Sequence, residues 1–132
     1  MKLLLDTDIC IAILNRDPRV RPHLEAHAPS QLRLSSITLA ELRFGVARSS
    51  HQKRAAANLR TLLSRTAVIP FDEAATARYG ALRALLESRG SPIGPLDTLI
   101  AAHALALGRV LVSHNGREFR RVPGLKVQDW LA

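Results

Sequence analysis

The sequence predicts an α/β protein in three α/β/α layers, with a short central parallel sheet flanked by helices. Three observations predict it. Short apolar, β-prone runs alternate with longer helical patterns along the whole chain, as strand–helix–strand units do. The first run, Leu3–Leu5, is wholly apolar, as a strand buried on both faces is. Apolar residues make up 47% of the 132, so one domain spanning residues 1–132 can build a core without crosslinks.

The elements follow in order. After the strand Leu3–Leu5, Thr7 to Asn15 reads as a helix carrying Ile9 and Ile13. Asp17-Pro18 predicts the start of a second helix, because proline suits a first turn; it ends before Pro29-Ser30. Arg33 to Ser36 predicts the second strand. Thr38 to Ala47 predicts a helix opened by the capping box Thr38-x-x-Glu41. His51 to Arg65 forms a helix with Leu59, Leu62 and Leu63 on one side. Ala67 to Pro70 is a short β-prone run. Asp72 then caps a long helix through Ser88, closed by Gly90. Ser91 to Pro95 reads as a stiff loop. Leu96 to Leu107 is the most apolar helix, ended by Gly108. Val110 to Ser113 and Leu125 to Val127 complete the sheet, with the Asn115-Gly116 turn between them.

Composition narrows the function classes. One cysteine, Cys10, excludes a disulfide framework or a cysteine-rich zinc site within the chain. No apolar run approaches the roughly 20 residues of a membrane span. Lys2 precedes only three leucines before Asp6, too few for a signal peptide, so a cytoplasmic protein is expected. A net charge of +8 favours a polyanionic partner.

Against this basic background, acids recur where elements begin. Asp6 and Asp8 follow the first strand, and ligands of open parallel sheets bind outside the carboxyl ends of strands. Glu41 and Asp97 lie where later helices start. Each has an ordinary structural reading, as a helix cap or a dipole partner. Brought together, however, carboxylates repel one another unless a cation neutralises them, which points to a hard divalent metal. His103 lies on another helix face from Asp97, so the two do not share a metal. His114 reads as a surface-loop residue, with RNA contact as its alternative.

Four segments, taken together, resemble PIN-domain ribonucleases, and most nearly the VapC toxins of type II toxin–antitoxin modules. They are Leu4-Leu-Asp6-Thr-Asp-Ile-Cys-Ile11, Ser35-Ser-Ile-Thr-Leu-Ala-Glu-Leu42, Gly94-Pro-Leu-Asp97 through His103, and Leu111-Val-Ser-His-Asn-Gly-Arg-Glu-Phe119. The resemblance implies a toxin that is a Mg²⁺- or Mn²⁺-dependent endoribonuclease. It makes Asp6, Glu41 and Asp97 the metal-holding acids, with Thr7 and Ser113 supporting them. Many relatives carry a fourth acid where this chain has Asn115, so either Asn115 or Glu118 fills that role. The resemblance also implies a VapB-like antitoxin that covers the site, a homodimer, and tRNA or rRNA as substrate. From charge, Arg43, Arg48, Lys53, Arg54, Arg117, Arg120 and Arg121 are candidate RNA contacts.

Three rivals carry their own expectations. A haloacid-dehalogenase-type phosphatase also opens on a strand and Asp-x-Asp. A signalling receiver domain has similar length and an acidic pair after its first strand. A decayed PIN-fold module would bind RNA or protein without cleaving, a reading that Asn115 keeps open.

Overall fold

A computed structural model of the chain describes residues 1–132. Five strands form one wholly parallel sheet: β1 (Leu3–Leu5), β2 (Leu32–Ser35), β3 (Ala67–Ile69), β4 (Val110–Val112) and β5 (Val127–Gln128). Their spatial order is β3-β2-β1-β4-β5. The chain builds outward from β1 to one edge, then returns to the other side of β1. The crevice between β1 and β4 is therefore the point where strand order reverses, the position at which open α/β sheets bind ligands. This order also differs from the 2-1-3-4-5 order of receiver domains, so that reading is set aside.

The helices are α1 (Thr7–Leu14), α2 (Arg21–Glu25), α3 (Ser36–Ala47), α4 (Gln52–Arg65), α5 (Glu73–Ser88), α6 (Pro95–Leu107) and α7 (Gly116–Phe119). Successive strand residues point to opposite faces. Leu3 and Leu5 accordingly join one core with Ile9, Leu42, Leu59 and Trp130, covered by α1, α3 and α4. Leu4 joins a second core with Leu82, Leu86, Ile100 and Phe119, covered by α5, α6 and α7. Helices thus cover both faces, and β1 is buried from both sides.

The structure corrects four local expectations. Asp17-Pro18 does not open a helix. The Asp17 carboxylate accepts from the Arg19 backbone N–H at 2.9 Å and pairs with its guanidinium, which holds a turn, and α2 begins at Arg21 with Pro22 in its first turn. The Thr38–Glu41 capping box does not form. The Ser35 hydroxyl caps α3 instead, accepting from Ile37 N–H at 3.0 Å, so the helix starts two residues early. Thr38 is buried with its hydroxyl unpartnered. Asn115-Gly116 leads into α7 rather than a bare turn, because Phe119 is drawn fully into the core. The last strand is Val127–Gln128, fixed by pairing Leu111 with Val127 and Val112 with Gln128.

Other signals read as expected. Asp72 caps α5 by accepting from Ala75 N–H at 3.0 Å. Gly108 ends α6 in the left-handed region (φ 64°), where a side chain is disfavoured.

Candidate active site

Asp6 leaves β1 in extended conformation and caps α1. One carboxylate oxygen accepts from Thr7 N–H at 2.8 Å, the other from the Ser113 hydroxyl at 2.8 Å. Ser113 directly follows β4, so this bond spans the β1–β4 crevice. The Ser113 hydroxyl in turn accepts from Asn115 N–H at 2.9 Å, which shapes the loop entering α7. The Thr7 hydroxyl donates to Glu41 Oε1 at 2.9 Å, tying α3 to the head of α1. Asp97, in the first turn of α6, accepts from Asn115 Nδ2 at 3.1 Å, and the same amide donates to Glu118 at 3.2 Å.

The acids are close enough to shift one another's titration. Asp6 is only 5% exposed. Burial, then the charge of Asp8 and more weakly that of Glu41, push its pKa from 3.8 up to about 6, against the opposing bonds from Ser113 and Thr7. Burial likewise raises Asp97 to about 7, reinforced by a hydrogen bond with the Glu118 carboxyl and by the charges of Asp6, Glu118 and Glu41. Glu118 moves the opposite way, chiefly because Asp97 bonds to it. The two carboxyls titrate as one pair.

The acids do not close into three direct ligands around one point. Each is held by a neighbouring hydroxyl or amide. The donor set nonetheless fits a hard divalent cation. It is all oxygen, and Mg²⁺ keeps several waters and needs only one or two carboxylates. The raised pKa values come first from burial and then from neighbouring acids, and a bound cation would favour the ionised carboxylates.

The PIN domain family matches residues 3–125 of this chain. The chain is 39% identical over 131 residues to the tRNA(fMet)-specific endonuclease VapC of Salmonella typhimurium, covering 98% of each. It is 40% identical over 132 residues to Ribonuclease VapC2 of Rickettsia felis, again covering 98% of each.

The chain belongs to the VapC ribonucleases of the PIN-domain family.

Among solved structures it resembles the VapBC2 complex of Rickettsia felis bound to a promoter DNA fragment, with TM-score 0.93 and 38% identity over 98% of this chain and 99% of that one. The DNA-bound VapBC of Salmonella typhimurium gives the same TM-score of 0.93 at 38% identity, covering 98% of both chains. Membership of the PIN family decides against the phosphatase reading. No helix is long and apolar enough to cross a membrane.

Within this PIN domain, the structure brings Asp6, Thr7, Glu41, Asp97, Ser113, Asn115 and Glu118 to one crevice. Asn115 and Glu118 both reach Asp97, so the sequence alternatives are neighbours. Asn115 presents its amide nitrogen as a donor, not its carbonyl. The basic candidates divide. Arg43, Arg48, Lys53 and Arg54 lie exposed on α3, its C-cap and α4. Arg117, Arg120 and Arg121 cluster at α7, where Arg121 donates to the Pro92 carbonyl at 2.8 Å and attracts Glu118.

Two contacts were not anticipated from the sequence. Asp8 accepts from His114 N–H at 2.9 Å and so braces the loop after β4. His114 Nδ1 pairs with Asp129 at 2.9 Å, so this exposed histidine is oriented rather than free. Only the Asp-x-Asp spacing hinted at the first contact. His103, away from the acids, is wholly buried and bonds Ser35 Oγ at 2.8 Å.

Proposed function

We propose that this VapC-family chain is a toxin that cleaves RNA phosphodiesters with Mg²⁺ or Mn²⁺ held by Asp6, Asp97 and Glu41. The carrying observation is the electrostatic strain at the β1–β4 crevice. Buried Asp6 and half-buried Asp97, with pKa values near 6 and 7, are linked through Ser113 and Asn115 in an otherwise basic protein. A bound cation supplies Lewis-acid polarisation of a phosphate and a more acidic water at neutral pH.

The chain's own residues prepare the site. Ser113 and Thr7 N–H orient the Asp6 carboxylate. The Thr7 hydroxyl turns Glu41 toward the crevice. Asn115 bridges Asp97 and Glu118 and holds the two carboxyls side by side. Asp97 would hold a divalent cation as a carboxylate, with Glu118 beside it. Asn115 therefore fits as a positioning amide, with Glu118 as the fourth acid. The decayed-site reading is disfavoured because Asp6 stays buried and the acids remain tied together through Thr7, Ser113 and Asn115.

The substrate is RNA. The tRNA(fMet) named for the Salmonella and Shigella relatives is the first to test. The partner is a VapB-like antitoxin, as in the solved complexes. Support comes from a groove of about 770 Å³ in which Thr7 and Glu41 adjoin exposed Ile11, Phe44 and Leu96. Apolar side chains left open beside an acidic site suit a segment that docks and blocks it.

The test compares wild type, Asp6→Asn and Asp97→Asn on tRNA with Mg²⁺, Mn²⁺ or EDTA. Cleavage by wild type with metal, and its loss in folded variants, is the expected result. Full activity in either variant overturns the assignment.

A further inference from the structure

The positive charge of this chain is concentrated in one place. The thirty residues from Leu42 to Phe71 contain no Asp or Glu and hold six of the nineteen Lys and Arg residues: Arg43, Arg48, Lys53, Arg54, Arg60 and Arg65. This segment therefore carries most of the net +8. All six side chains are exposed. None pairs with a carboxylate, whereas Arg19, Arg21 and Arg83 elsewhere each do.

Packing explains the concentration. Leu59 and Leu62 bury one side of α4 in the core, so its cations must stand on the outer face. Arg43 of α3 joins Lys53 and Arg60 around a groove of about 710 Å³ whose lining includes Val46, Leu59 and Leu63. Cations along a groove fit a nucleic-acid strand, whose backbone a positively charged groove tracks. The strip also reaches the acids. Arg48 lies two helical turns beyond Glu41, and both line the groove that includes Thr7. An acidic centre repels phosphate, so an adjoining cationic surface must supply the attraction that delivers the substrate. The arginines at α7 are less suited, since Arg121 is already engaged by Pro92 and Glu118.

We propose that the acid-free face of α3 and α4 is the RNA-docking surface, gripping the strand beside the cleavage point through Arg43, Arg48, Lys53 and Arg60. This rests on the ribonuclease reading above.

The test is the triple variant Arg43→Gln/Lys53→Gln/Arg60→Gln. Its binding to a short fluorescein-labelled oligouridylate is measured in EDTA, where no cleavage occurs, across a salt series. Each lost phosphate contact should lower the slope of log K against log salt by roughly 0.7, so the triple variant should lose about 2. With metal, KM for tRNA should rise at least about tenfold while kcat stays within about twofold, because the acids are untouched. The control Arg21→Gln/Arg83→Gln/Arg89→Gln removes equal charge elsewhere and should change both little. Should the triple variant fail to fold, Lys53→Glu and Arg60→Glu singly carry the same test. An unchanged salt slope and KM overturn the proposal. So does an equal loss in the control, which would mean a diffuse field. So does a defect confined to binding an acidic antitoxin peptide. A wild type that cleaves no RNA overturns the nuclease reading instead, and the EDTA binding data still judge the surface.

Discussion

Replacing Asp6 by Asn should stabilise the metal-free protein at pH 8 while ending RNA cleavage. Burial and the neighbouring acids lift the Asp6 pKa from 3.8 to about 6. Each unit is worth about 1.4 kcal/mol. Between roughly pH 4 and 6 the folded chain holds a proton that the unfolded chain has released, so stability falls as pH rises through that window. Above it, the ionised carboxylate costs the fold about 3 kcal/mol. Asparagine stays neutral and caps a helix as well as aspartate does. It cannot accept from both Thr7 N–H and Ser113 Oγ–H, and the lost bond costs about 1 kcal/mol. The net gain at pH 8 is about 2 kcal/mol, or roughly 5–8 °C in Tm for a domain of this size. At pH 4.5 Asp6 is already protonated and the gain should vanish. Thermal unfolding in EDTA at the two pH values reads this directly. A gain that is absent at pH 8, or equal at both, refutes the reasoning that Asp6 is a buried, charge-strained carboxylate.

Other outcomes follow from the same geometry. Mg²⁺ or Mn²⁺ should raise the wild-type Tm, by about 2.7 kcal/mol of stability at a hundredfold excess over Kd, and Asp97→Asn should blunt the shift in scanning fluorimetry. At subsaturating Mn²⁺, cleavage should rise between pH 6 and 7, where Asp6 and Asp97 lose their protons; saturating Mn²⁺ should move the rise to lower pH, as a pH–rate series would show. Asn115→Asp puts a third carboxyl beside Asp97 and Glu118, so metal-free stability at pH 8 should drop and the Mn²⁺-induced Tm shift should grow. Ser35→Ala should cost about 2–3 kcal/mol in urea unfolding, since it removes the α3 cap and leaves the buried His103 Nδ1 without its partner.

Much of the architecture was legible because it rests on local rules. Leu3–Leu5 could only be a doubly buried strand, and Gly108 could only end its helix. Where the reading slipped, a tertiary contact outweighed a local preference. The capping box at Thr38 lost to Ser35, whose hydroxyl also serves His103 from a distant helix. The Asn115-Gly116 turn became a helix because Phe119 had a core to enter. Strand β5 took its bounds from its partner β4, which no local pattern encodes.

The residue order alone determined the kinds of chemistry available: which segments bury, which acids stand at element starts, and how basic the chain is overall. Those follow from side-chain polarity and near-neighbour geometry. Only the folded chain decided that β1 and β4 lie side by side, so that Ser113 reaches Asp6 across 107 positions of sequence and Asn115 spans Asp97 and Glu118. It also decided that one helix pair carries most of the excess charge unopposed. Proximity between distant residues is set by packing of the whole core, and the same packing removes the water that would otherwise let Asp6 and Asp97 ionise at their usual pH.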